Sequence, residues 1–267
     1  MTGPWGIRRG AEVLLAAERD VEARGPITAQ WPELDLETAY AVQDEALRIR
    51  RSRGETLIGV KLGLTSKAKQ RRMGIDRPSL AWLTDAMLHP AGNPLPLKRL
   101  IHPRVEPEIG FVIGSRLAGP AVSSATALAA VSTVFGAVEI IDSRFSGFSF
   151  TMADAVADNG SSGLFTMGSV SADPLGLDLA LETCLLEQDG EIVDSATGAA
   201  VQGNPGEALA LAANILGERG LAIEPGWVVL TGGLTDALPI GPGGRIAAHF
   251  AHLGSVVAYA ARPSVHG

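Results

Sequence analysis

The sequence predicts an α+β fold: helices come first, followed by a strand-rich core that closes as a mixed barrel or roll. Three observations carry this. Two amphipathic helical patterns open the chain. Glycine (32) and proline (16) are plentiful while charged residues make up only 19%, a mix that suits turns and strands rather than a helical bundle. Beyond Leu57 the apolar runs are short and bounded by turn signals. With 46% apolar residues in 267, the chain can bury a substantial core and is not disordered. Residues 1–56 are expected as a helical section and residues 57–267 as the catalytic core of one integrated domain.

Each element follows from its local pattern. Val13, Leu14, Ala17 and Val21 recur at helical spacing within residues 6–24, and Gly25-Pro26 ends that segment. Asp35 is placed to cap a second helix, whose stripe of Tyr40, Val42, Ala46 and Leu47 runs to Arg51. The run Leu57-Ile58-Gly59-Val60-Lys61-Leu62-Gly63-Leu64 reads as a buried strand. A short helix is expected over Lys67–Met73, then a Pro-rich loop over residues 76–100 anchored by Trp82. Ile109–Ile113 and Val138–Ile141 read as strands, with a helix over Ser123–Phe135 between them. Asp189-Gly190 marks a hairpin between Leu179–Gln188 and Glu191–Ser195. Pro205–Glu218 reads as a helix with Asn204 as cap, Pro205 in its first turn and Gly220 near its stop. Trp227–Leu230 and two alternating strands ending near Ala260 complete the core.

Bulk properties remove several function classes. A net charge of −7 argues against a broad nucleic-acid surface. The cluster Arg48, Arg50, Arg51 and Arg53 ends a helix, where cations suit the dipole. The single cysteine, Cys184, permits no intrachain disulfide and no cysteine-built metal site, and its apolar setting suits core filler. The apolar stretch after Arg8 and Arg9 is too brief for a signal peptide, and no uncharged run spans a bilayer, so a cytoplasmic protein is expected. Glycines at Gly54 and Gly59 approach phosphate-loop spacing, but Val60 displaces the lysine. There is no nucleophile elbow and no dinucleotide fingerprint.

The residues that carry chemistry are acids and one lysine. Glu106 and Glu108 stand at period two and share a face if extended. Glu139 lies in an otherwise apolar run, where a buried carboxylate needs a partner such as a hard divalent cation. The alternative is that Glu106 and Glu108 face solvent on an edge strand, which Pro107 permits. Lys61, inside an apolar strand, can neutralise a carboxylate or transfer a proton; alternatively its stem crosses the strand with its head in water. The turn holding Asp158, Ser161 and Ser162 offers donors for a substrate carboxylate, or is an ordinary loop. Thr231-Gly232-Gly233, directly after a buried strand, allows close ligand approach. Arg144 can bind a carboxylate bidentately, or pair with Asp142 or Glu139. His102 has no second histidine at zinc spacing.

Five ordered blocks resemble a known family: Gly59-Val60-Lys61-Leu62-Gly63-Leu64-Thr65-Ser66, His102-Pro103-Arg104-Val105-Glu106-Pro107-Glu108, Val138-Glu139-Ile140-Ile141-Asp142-Ser143-Arg144, Val156-Ala157-Asp158-Asn159 and Leu253-Gly254-Ser255-Val256. Together they look like the bacterial meta-cleavage group of 4-oxalocrotonate decarboxylases and 2-hydroxypenta-2,4-dienoate hydratases, within the fumarylacetoacetate-hydrolase-like superfamily. The resemblance spans Ala39 to Ala258. It implies a mixed β-barrel or roll with the N-terminal helices packed around it. It implies Mg2+ or Mn2+ on Glu106, Glu108 and Glu139, with Lys61 as the catalytic residue and Thr65 beside the substrate. It also implies a lyase of aromatic catabolism that acts on a small 2-oxo acid as a homo-oligomer, in association with a related hydratase. The decarboxylase branch is favoured by Ile141-Asp142-Ser143-Arg144-Phe145 and Thr231-Gly232-Gly233-Leu234-Thr235. Ser79 also favours it, since hydratases tend to carry an acid after the proline matching Pro78. Gly160, and Gln202-Gly203-Asn204-Pro205 in place of Leu-Gly-His-Pro, depart from the family pattern.

Overall fold

The computed structural model describes residues 4–66, 70 and 78–262. Its first helix, α1 (Ile7–Asp20), ends at Val21 in a left-handed cap. The second, α2 (Leu36–Ser52), is capped as expected, with Asp35 accepting from the Thr38 amide at 2.8 Å. Strands β1 (Leu57–Gly63), β2 (Ser79–Thr84), β3 (Arg104–Ile113), β4 (Val131–Ile141), β5 (Ser162–Ala172), β8 (Val228–Leu230) and β9 (Leu238–Pro239) form a seven-stranded sheet in the order β2-β1-β8-β3-β4-β5, with β9 also on β3. Strands β6 (Thr183–Gln188), β7 (Glu191–Thr197), β10 (Arg245–Phe250) and β11 (Ser255–Tyr259) form a second sheet, β11-β10-β6-β7. The helices α3 (Ser124–Ala129), α4 (Met152–Ala157) and α5 (Pro205–Glu218) complete a mixed α/β fold. No helix among the described residues is long and apolar enough to cross a membrane.

Several boundaries differ from expectation, each for a physical reason. The helix expected over Ser123–Phe135 stops at Ala129, because Val131, Thr133 and Val134 are β-branched and pair with β3 and β5 in an extended strand. The strand expected from Ile109 begins at Arg104 and contains all of Glu106-Pro107-Glu108. Pro107 is tolerated because its missing amide faces the gap between β9, which pairs with residues 104–105, and β8, which pairs with residues 110–112. On that side its carbonyl accepts from the Leu234 amide at 2.9 Å. β2, β5 and α4 were not expected; all six residues of β2 are buried. The helix expected over Lys67–Met73 lies outside the described residues, Gln70 excepted.

β2 is the edge of the large sheet, and side chains close that edge. Tyr40 Oη accepts from the Leu80 amide, and Gln43 Nε2 donates to the carbonyls of Leu80 and Val156, each at 3.0 Å. Unpaired strand groups that would otherwise recruit another chain are thereby satisfied. The N-terminal helices are anchored there too: Ala11, Leu14, Val42 and Ala46 pack with Phe145, Val156 and Ala157.

The two faces of the large sheet have different uses. One face presents Val60, Leu62, Ile109, Phe111, Val138 and Ile140 to the small sheet and α5, forming the main core. Truncating one of these large buried side chains to alanine removes about 2–5 kcal/mol. By strand alternation the other face carries Lys61, Glu106, Glu108 and Glu139, next to a smaller apolar cluster that includes Leu83, Phe135, Phe165 and Leu230. Cys184 is buried core filler, and burial pushes its thiol up to about 12.

Candidate metal centre

β3 and β4 run antiparallel with Glu106 directly opposite Glu139, and Glu108 two residues along the same face. One carboxylate oxygen from each lies within 4.8 Å of the others. Glu108 and Glu139 are essentially inaccessible to solvent, at 0% and 1% exposure, so Glu108 does not face solvent, while Glu106 is half-buried. Burial, then the charges of Glu139 and Glu106, push the Glu108 carboxyl well above the ordinary range. Lys61 Nζ lies 3.1 Å from Glu139 Oε1, donates to Oε2 at 3.2 Å, and donates to the Gly160 carbonyl at 2.7 Å. Burial alone lowers the Lys61 pKa, but Glu139, Glu106 and Glu108 outweigh it and the net shift is upward. With no cation on the glutamates their charge favours the ammonium form of Lys61, and Nζ acts as a hydrogen-bond donor to both Glu139 and Gly160.

Loops from two other elements complete the surround. After β8, the Gly232 amide donates to Glu108 Oε2 at 2.6 Å. Gly232 has φ +106°, and a side chain there would run into the Thr65 hydroxyl. A side chain at Gly233 would occupy the space of the Glu106 carboxylate. Thus Lys61, Thr65, Gly232, Gly233 and the three glutamates are brought together.

Other residues expected at the site have their polar atoms engaged elsewhere. The Arg144 guanidinium donates to Asp158 and to the carbonyls of Asp142, Asp158 and Ser162. Burial pushes the Asp158 carboxyl up to about 6, against the pull of the Arg144 guanidinium. Ser161 Oγ donates to Asp158, and Thr231 Oγ1 to the Ile109 carbonyl at 2.8 Å. The Ser162 hydroxyl is buried with no hydrogen-bond partner. His102 packs its ring on Phe148. A cavity of about 910 Å3, lined by Asp44, Arg51, Leu57 and Trp227, lies away from the acids. Donor chemistry rather than volume locates the site.

The donor set fits a hard divalent cation. Glu108 Oε1 is a buried oxygen without a hydrogen bond, a costly state for a charged acceptor unless a cation completes it, and Glu139 Oε1 has only the ion-pair contact with Lys61 Nζ at 3.1 Å. All three ligands are carboxylates, which suits magnesium or manganese rather than a thiophilic metal.

No family model matches the chain. It is 40% identical, over 93% of its length and 94% of the relative's, to 4-oxalocrotonate decarboxylase of Pseudomonas sp. strain CF600. The chain belongs to the family of 4-oxalocrotonate decarboxylases and 2-hydroxypenta-2,4-dienoate hydratases. The hydratase branch of this family is nearly as similar: 2-hydroxyhexa-2,4-dienoate hydratase of Comamonas testosteroni is 39% identical over 87% of the chain and 89% of that protein. Among solved structures, 4-oxalocrotonate decarboxylase from Pseudomonas putida G7, complexed with magnesium and adipate, superposes with a TM-score of 0.92 at 39% identity, covering 95% of this chain and 96% of that one.

Two supports of this arrangement were not legible in the sequence. The Gly160 carbonyl that receives Lys61 carries no side-chain signal. Gln43, the buried amide that ties α2 to β2, looks like any polar residue of an amphipathic helix until the sheet edge is in place.

Proposed function

We propose that this protein is a metal-dependent lyase that decarboxylates 2-oxo-3-hexenedioate to 2-hydroxypenta-2,4-dienoate in meta-cleavage aromatic catabolism. The observation that carries the reading is the cluster of three carboxylates, two of them fully buried and one with an oxygen that has no hydrogen bond, beside Lys61. Its similarity to named decarboxylases supports the substrate, as does adipate, a six-carbon dicarboxylate, in the solved relative.

A magnesium or manganese ion held by Glu106, Glu108 and Glu139 would supply Lewis acidity at the 2-oxo oxygen. The C5–C6 bond breaks, its electron pair passes through the C3–C4 unit to the C2 oxygen, and that oxygen gains a proton. Lys61 is the donor assigned to the charge that develops near C1 and C2. Thr65 and the Thr231-Gly232-Gly233 turn, whose glycines leave room for close approach, position the 2-oxo acid end, with Ser161 and Ser162 as further candidates for substrate contact. The apolar cluster of Leu83, Phe135, Phe165 and Leu230 keeps water from the reacting carbons and favours loss of charge as carbon dioxide.

Hydration of 2-hydroxypenta-2,4-dienoate is the second reading, favoured by the similarity to hydratases. Ser79 weighs against it: the residue is buried, with its hydroxyl 3.5 Å from the Gly63 carbonyl, and carries no acid to handle water. Supplying each substrate separately with magnesium decides: carbon dioxide without hydrated product is expected, and the reverse pattern overturns the assignment. Glu106→Ala and Glu139→Ala test a non-catalytic subunit, since turnover in both removes the metal site.

Residues 1–56 and 57–267 are read as one integrated domain, supported by the Gln43 bonds to Leu80 and Val156. Closure of the two sheets as a barrel or roll is supported by the packing of β11 on β4 and β5. Cytoplasmic homo-oligomers and association with a hydratase belong to the same reading.

A further inference from the structure

We infer that Asn159 is a positioning residue for Lys61, acting through the carbonyl of Gly160; the inference rests on the donor role proposed for Lys61. Three consecutive residues, Asn159, Gly160 and Ser161, have left-handed φ values of 51°, 59° and 59°. Two of them carry side chains, and such backbone persists only where its surroundings hold it. Asn159 supplies most of that hold. Its Oδ1 accepts from the Trp82 amide at 2.8 Å and its Nδ2 donates to the Trp82 carbonyl at 2.9 Å. The side chain thus pairs with edge strand β2 as a neighbouring strand would. The next residue, Ser161, donates its amide to Asp158 and accepts from the Asp142 amide. Clamped at both ends, the turn can present the Gly160 carbonyl in one direction only.

That direction is Lys61. A lysine ammonium has three donors. Here one goes to Glu139 and one to Gly160, so the tetrahedral geometry of Nζ fixes where the third points. With Glu139 as its sole anchor the ammonium could swivel. The approach is close: a Cβ at position 160 would lie 3.0 Å from Lys61 Cε and 3.3 Å from Nζ, so the lysine end would have to give way by a few tenths of an ångström. This gives a reason for Gly160 where the family pattern has a residue with a small side chain.

The test is Asn159→Asp, which keeps the shape and the tolerance of left-handed φ but places a carboxylate against the Trp82 carbonyl. The expected result is a fall in kcat of about 10- to 100-fold, as for a displaced reacting group. KM, and the magnesium Kd measured by calorimetry without substrate, should stay within about twofold of wild type, since neither depends on the third donor. A crystal structure of the variant should show Nζ released from the Gly160 carbonyl. An unchanged kcat, an Nζ still on Gly160, or parallel loss of KM and magnesium affinity would each overturn the inference. Lys61→Met is the companion: full turnover there removes the donor role itself, whereas a dead Lys61→Met beside a wild-type Asn159→Asp removes only the part given to Asn159.

Discussion

Two ion pairs among the described residues are fully buried, and they are finished differently. Arg144 and Asp158 satisfy one another almost completely: the guanidinium also reaches three carbonyls, and the carboxylate also accepts from Ser143, Ser161 and the Arg144 amide. Lys61 and Glu139 are equally buried, but their surroundings hold two further carboxylates and a Glu108 oxygen with no hydrogen bond. The first pair braces the turn after α4. The second sets three carboxylates against one ammonium, an excess of negative charge that suits a divalent cation. Burial alone does not distinguish a structural pair from a functional one; the unbalanced charge does.

Four measurements can break or sharpen that contrast. Arg144→Ala should have the largest effect, a loss of about 3–5 kcal/mol in urea unfolding, because it strands a buried carboxylate. A loss under about 1 kcal/mol would mean the brace is not one. Magnesium at a hundred times its Kd should stabilise the wild type by about 2.7 kcal/mol and be reversed by a chelator. Glu108→Gln should do the opposite of Arg144→Ala: it relieves like-charge repulsion, so the metal-free protein gains about 1 kcal/mol. The same variant should lose magnesium stabilisation, with turnover down about 10²- to 10³-fold.

The pH dependence follows from the same repulsion. The folded-state pKa of Glu108 is raised above the ordinary value of 4.5, so its contribution to metal-free stability is fully present below that value and is lost as pH rises through the folded pKa. Urea midpoints without metal should therefore fall as pH climbs from the ordinary carboxylate range, and saturating magnesium should flatten the trend. The smallest effect belongs to the exposed pair Arg8–Glu12: Arg8→Ala should leave the unfolding midpoint unmoved.

Much of the site was legible. Glu106, Glu108 and Glu139 could be singled out because period-two spacing and an apolar context are local properties, and Lys61 stood out for the same reason. A structural pairing of Arg144 was legible but its partner was not: the guanidinium pairs with the Asp158 carboxylate, 14 residues away, and meets Asp142 only at its carbonyl. β2 was hidden in a Pro-rich stretch because its stability comes from β1 on one edge and from Tyr40, Gln43 and Asn159 on the other.

The sequence by itself determined the helix starts at Asp35, Ser123 and Asn204, the turn at Asp189-Gly190, and which acids share a strand face, since capping, turn chemistry and alternation act within a few residues. Only the tertiary structure decided that Glu139 lies opposite Glu106, that the Gly232 amide meets Glu108, and that Lys61 is held between Glu139 and Gly160. Those contacts join residues from about 30 to 124 positions apart. They are set by register between strands and by packing of the sheet, which no local pattern encodes.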